Sequence, residues 1–147
     1  VVAISSLMLM ALRADQLLGA VGGRQAGEKL VVAVDARKGQ IYAQVFGENG
    51  GDALGPPALT TPDDLVRSLA GGAFTAVGSG GEAVAAAARS AGITAPTKLT
   101  RLEPHARMLA VLAPQLRPRD RLSPLYLRAP DAKPQAPALR PAGAAPE

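Results

Sequence analysis

The sequence predicts a mixed α/β fold, with a sheet of antiparallel and parallel strands flanked by helices. Two observations carry that reading. A β-branched run from Leu30 to Val34 is followed, after a short turn, by a second strand-like run from Ile41 to Phe46. From Thr61 onward, helix-start and strand signals alternate, as they do where helices cross over a parallel sheet. The 147 residues, 48% hydrophobic and 19% charged, suit about one globular domain rather than a disordered chain.

Taken in order, the opening VVAISSLMLMALRA is apolar up to Arg13. It lacks a basic leader region and is too short to span a bilayer, so it reads as buried structure whose first residue lies partway through a strand. Ser5 or Ser6 caps a helix over about 7–18, where Leu7, Ala11, Ala14 and Leu18 recur at helical spacing. Gly19, Gly22 and Gly23 end it. Leu30 to Val34 has the continuous apolar character of a strand covered on both faces. Asp35-Ala36-Arg37-Lys38-Gly39 supplies turn chemistry, with Gly39 suited to the left-handed position. Ile41 to Phe46 completes a hairpin, and a weaker edge strand is expected over 53–59, limited by Pro56 and Pro57.

Thr61-Pro62-Asp63-Asp64 then marks a helix start, with a capping hydroxyl, Pro at the first helical position and acids that suit the helix dipole. A short strand follows over 73–77, a tight loop over 78–81 and an Ala-rich helix over 82–91. A further helix is expected over 104–116, with Met108, Leu109, Leu112 and Leu116 inward. Leu125-Tyr126-Leu127 reads as a last strand packing back onto the fold, and the Pro/Ala-rich residues 129–147 as a disordered tail. Three sequential antiparallel strands followed by alternating helix and strand match the ribonuclease-H-like unit, which is duplicated in actin-like and sugar-kinase folds.

Composition removes several chemistries. With no Cys there is no disulfide framework, thiolate zinc site or cysteine nucleophile. His105 is the single histidine, so neither a catalytic triad nor a two-histidine metal site can be built from these residues alone. Asp35 ends a central strand, where ribonuclease-H-like nucleases hold metal-binding acids, but no second acid matches it, and Asp63 and Asp64 are explained by the helix start. Neither a catalytic nor a metal-binding residue is therefore expected.

Gly78-Ser79-Gly80-Gly81 lies between a strand and a helix, where such loops cradle phosphate on backbone N–H groups. A structural glycine turn is the weightier reading, because hairpins precede the loop and a dinucleotide fingerprint belongs on the first strand of a parallel sheet. The net charge of +4 is uneven. Residues 98–147 hold nine Lys or Arg against four Asp or Glu, whereas residues 1–97 hold seven against eight. Arg117, Arg119, Arg121 and Arg128 concentrate the basicity. A nucleic-acid surface is one reading, but no aromatic residues interleave the arginines, and a solvated face is the simpler account.

These segments also carry a family resemblance. VAVDARKGQIYAQVF resembles the DAR-x-G-(E/Q)-(V/I)-Y hairpin of the TsaB (YeaZ) family, placing Asp35, Ala36, Arg37, Gly39 and Tyr42 on its signature. AISSLMLMA is similar to the family's V-S-(S/T)-L step, AVGSGG to its V-G-x-G loop, and SPLYLRAPDAKP to its P-x-Y-L-R signature through Tyr126, Leu127 and Arg128. The four motifs occur in the family's order, up to about Lys133. The resemblance implies an actin-like two-lobed fold without a working nucleotide site. It implies no cofactor, a cytoplasmic location and a non-catalytic scaffold role in the synthesis of threonylcarbamoyladenosine on tRNA. The implied partners are TsaD, which carries the catalytic machinery, the ATPase TsaE, and tRNA through the complex.

In this frame residues 1–28 are a strand end and helix left over from a first lobe, and residues 29–128 form the second ribonuclease-H-like lobe. The first lobe, with its Gly-Pro-Gly-Ser-Phe-Thr-Gly segment, has no counterpart here, so an upstream segment is expected. The aliphatic surface that it would leave makes a homodimer a further expectation. Two other functions fit parts of the sequence: a nucleotide-binding actin-like phosphotransferase, suggested by Gly78 to Gly81, and a glycoprotease-like enzyme, for which no residue here supplies peptide hydrolysis.

Overall fold

The computed structural model of the chain describes residues 1–118 and 120–128. Its organising strand is β1 (Lys29–Asp35), in which Leu30, Val31, Val32 and Ala33 are completely buried. Complete burial of consecutive residues requires cover on both faces, which is what the unbroken apolar run predicts. On one side β1 pairs antiparallel with β2 (Ile41–Phe46), in a register from Leu30 opposite Phe46 to Asp35 opposite Ile41. β2 pairs antiparallel with the short β3 (Ala58–Thr60). On its other side β1 runs parallel to β4 (Phe74–Val77), which runs parallel to β5 (Thr97–Lys98). The order β3-β2-β1-β4-β5 is that of a ribonuclease-H-like lobe.

The side-chain period of two divides the core between the faces. Val31 and Ala33 join Ile41, Ala43, Phe74 and Ala76 under α2 (Pro62–Ser68) and α3 (Gly81–Ser90). Leu30 and Val32 join Phe46 and Val77 under α1 (Ser6–Gly19). The chain has two Phe, and each face completely buries one of them. Burial of such a side chain stabilises by about 1.5–3 kcal/mol. The helix starts follow their sequence signals. Ser5 Oγ accepts from the Met8 N–H at 3.1 Å, and Thr61 Oγ1 accepts from the Asp64 N–H at 3.2 Å.

A polar cluster closes the end of the sheet where β1 begins. Glu28 is buried, and its carboxylate accepts from the Thr75 hydroxyl at 2.5 Å and the Gln25 N–H at 2.9 Å. Arg24 pairs with Asp15 at 2.8 Å and also donates to the Glu28 and Gly47 carbonyls. Buried polar groups persist where such partners are supplied.

Several elements differ from expectation. Residues 1–5 form no strand. The edge strand expected over 53–59 contracts to β3 and one bridge between Phe46 and Ala53, because Pro56 and Pro57 have no N–H to add to a ladder. β5 was not expected, since two residues carry no periodicity. The helix expected over 104–116 is α4 (Ala106–Leu112), capped by His105 and followed by a 3-10 turn over Ala113–Gln115. Met108, Leu109, Leu112 and Leu116 are half-buried rather than inward. The strand expected at Leu125-Tyr126-Leu127 does not form: Pro124 interrupts donor pairing, and the segment follows the surface instead. The disorder expected for 129–147 lies outside the described residues.

Candidate functional site

At the end of the sheet where β1 gives way to β2, three segments distant in sequence meet. The first is the start of α1, where Ser5 and Ser6 are exposed and Leu7 is buried in the core beneath them. The second is the β1–β2 hairpin. There Asp35 Oδ1 accepts from the Arg37 N–H at 2.9 Å, and the Ala36 N–H donates to the Gln40 carbonyl at 2.9 Å. An aspartate that bonds two residues ahead sets the turn locally. The turn then passes three residues through the left-handed region, with φ of 62° at Arg37, 54° at Lys38 and 71° at Gly39. Gly39 is therefore where its turn position requires it, whereas Arg37 and Lys38 hold that conformation at a steric cost.

The third segment is residues 125–128. Arg128 Nη2 donates to Gln40 Oε1 at 2.7 Å, fixing this segment to the hairpin. Together the three segments line a groove of about 410 Å³, with Val34, Tyr42, Pro57, Leu125, Tyr126 and Leu127 on its walls. Leu127 is half-buried. Tyr126, expected to pack back onto the fold, is instead 80% exposed, because no strand forms there to turn it inward. The sequence marks Ser5 as a helix cap and places Val34 and Gln40 within the strand and hairpin motif, but assigns none of the three to a site. Gln40 was legible in principle as the polar position of the hairpin motif; the other two become neighbours only through the fold.

The glycine loop lies behind the hairpin. Ser79 Oγ accepts from the Asp35 N–H at 3.0 Å, the Gly80 N–H donates to the Ala33 carbonyl at 2.9 Å, and the Gly81 N–H to the Gly78 carbonyl at 2.9 Å. The Gly78 N–H is taken by the Leu99 carbonyl at 3.2 Å. A phosphate cradle needs N–H groups that point at the ligand, and these three are committed to protein carbonyls. The glycines serve a close approach instead. A Cβ on Gly78, whose φ is +90°, would lie 2.4 Å from the Ala33 oxygen, and one on Gly80 would lie 2.9 Å from Ile41 Cγ2. Gly78, Gly80 and Gly81 are buried and only Ser79 is exposed.

Among the described residues, no three His, Asp or Glu side chains are grouped so as to hold a metal ion. His105 is spent as a cap, its Nδ1 accepting from the Arg107 N–H at 3.2 Å. No described helix is long and apolar enough to cross a membrane.

No protein-family model and no curated protein matches the chain. Solved structures do. A Pseudomonas aeruginosa protein described as having similarity to peptidase YEAZ aligns with a TM-score of 0.56 and 22% identity, over 86% of this chain and 58% of that one. YeaZ from Pseudomonas aeruginosa aligns with a TM-score of 0.47 and 23% identity, over 77% of this chain and 50% of its own. The first of these structures shows a YeaZ-like fold, and the strand order agrees with it: a ribonuclease-H-like lobe. This chain spans less than two thirds of the length of either structure.

Proposed function

We propose that these residues belong to a non-catalytic scaffold or activator subunit of the tRNA threonylcarbamoyladenosine machinery, with TsaD as its direct partner. TsaE joins the assembly and tRNA is reached through it, in the cytoplasm and without a cofactor held by this chain. The observation that carries the reading is the convergence of three resembling motifs on one groove. Ser5 and Ser6, the Val34–Tyr42 hairpin and Leu125 to Arg128 are far apart in sequence, yet they line a single surface, and Arg128 bonds to Gln40. Motifs retained only for packing would have no need to share an open groove. The left-handed Arg37 and Lys38 beside it add a second reason, since backbone strain clusters where a surface is used.

The phosphotransferase alternative draws no support from Gly78, Gly80 and Gly81, whose N–H groups are occupied as described above. A reconstituted transfer assay tests the proposal. TsaD, TsaE and a source of threonylcarbamoyl adenylate are mixed with tRNA, with or without the full-length parent of this chain. The parent is expected to be required for transfer and to show none without TsaD; turnover by this chain alone would sink the proposal.

A further inference from the structure

We infer that the groove between α1 and α4 is a docking site for an acidic amphipathic helix of a partner protein. This rests on residues that line no part of the Gln40–Arg128 groove and does not depend on the function proposed above. α4 has the sequence ARMLAVL, yet none of its residues is buried. A helix this apolar normally buries a face against something. Here it leans on α1, leaving a furrow of about 460 Å³ whose apolar lining includes Leu17, Met108 and Val111. Leu17 is 41% exposed and Val111 59% exposed.

The charge at the rim identifies the occupant. Arg13 and Arg107 supply charge to the lining of the furrow, and no carboxylate lies there. Arg13 donates from Nη1 to the Glu103 carbonyl at 3.1 Å, a contact that positions its guanidinium without neutralising it. An apolar floor between cationic edges matches a helix that carries Leu or Met at i, i+3, i+4 and i+7 with acids on the flanks. A second copy of this chain fits poorly. A two-fold interface sets each patch against itself and would face this arginine-bearing rim with another of the same sign.

The test uses the full chain and two fluorescently labelled synthetic helical peptides. Both carry the same leucine stripe; one has Glu on its flanks and the other Lys. The acidic peptide is expected to bind at least tenfold more tightly, with an affinity that falls as salt rises. Val111→Glu, at an exposed position that the fold does not need, should weaken it about tenfold or more. Arg107→Glu should narrow or reverse the preference between the peptides, while its acid suits the helix start. Three results would overturn the inference: equal binding of both peptides, binding of neither, or concentration-dependent self-association abolished by Val111→Glu. The last would assign the furrow to a second copy.

Discussion

Arg128 and Gln40, 88 residues apart, share a hydrogen bond of 2.7 Å from Nη2 to Oε1. It holds an irregular segment against a hairpin where no sheet ladder does so. Replacing Arg128 by Ala should therefore cost about 1 kcal/mol, less than the ~1.5–3 kcal/mol of a buried bond to a charged group, because the site is half-buried. Amide exchange should quicken over residues 125–128 and stay unchanged in β1. Unchanged exchange over 125–128 would mean that the segment is held by something else.

The glycine loop is built for close packing rather than for a ligand. Gly80→Ala places a methyl 2.9 Å from Ile41 Cγ2, and Gly78→Ala places one 2.4 Å from the Ala33 oxygen. Both should destabilise, Gly80→Ala by about 1–3 kcal/mol as an overpacked site and Gly78→Ala by more, since its positive φ adds strain. Urea denaturation measures this. A near-neutral Gly80→Ala would show that the loop has the slack a ligand-binding loop needs.

At the start of α2, Thr61 Oγ1 accepts from the Asp64 N–H and donates to Asp64 Oδ2 at 2.7 Å. Thr61→Ala should cost about 1 kcal/mol, the usual worth of a cap. The Thr61 hydroxyl, and then the Arg67 guanidinium that pairs with it, hold the Asp64 carboxyl below its ordinary pKa. A lowered folded value stabilises above the unfolded carboxylate pKa, and that contribution is lost as pH falls through the folded value. The stability advantage of the wild type over Asp64→Asn should thus be present at neutral pH and vanish in acid. An advantage that grew on acidification would have the wrong sign.

Arg37 sits at a φ of 62° in the hairpin. Arg37→Gly removes the Cβ that makes this costly, and should stabilise by up to about 1 kcal/mol while keeping the Asp35 bond to the backbone N–H. If the turn serves the surface assigned to it, the same substitution should reduce the activity of the parent in reconstitution. A gain in stability with full activity would make the strained turn merely tolerated.

What was legible in the sequence is what short-range chemistry decides. The run Leu30 to Val34 announced a strand covered on both faces, and Thr61-Pro62-Asp63-Asp64 announced α2, because each signal is complete within a few residues. β5 was not legible, since Thr97 and Lys98 are strand residues only through parallel pairing with β4. The reverse error came at Leu125-Tyr126-Leu127, where strand-like residues follow Pro124 and find no ladder to join. The groove was only half legible. Its residues were marked one by one by motif, but their meeting depends on how α1, the hairpin and residues 125–128 are placed together.

The central claim is tested most directly by mass spectrometry of tRNA nucleosides from the native organism after depletion of the parent gene. The account predicts that threonylcarbamoyladenosine disappears and that the full-length gene restores it. Persistence of the modified nucleoside, with no second copy of the gene present, would contradict it and leave only the shared fold.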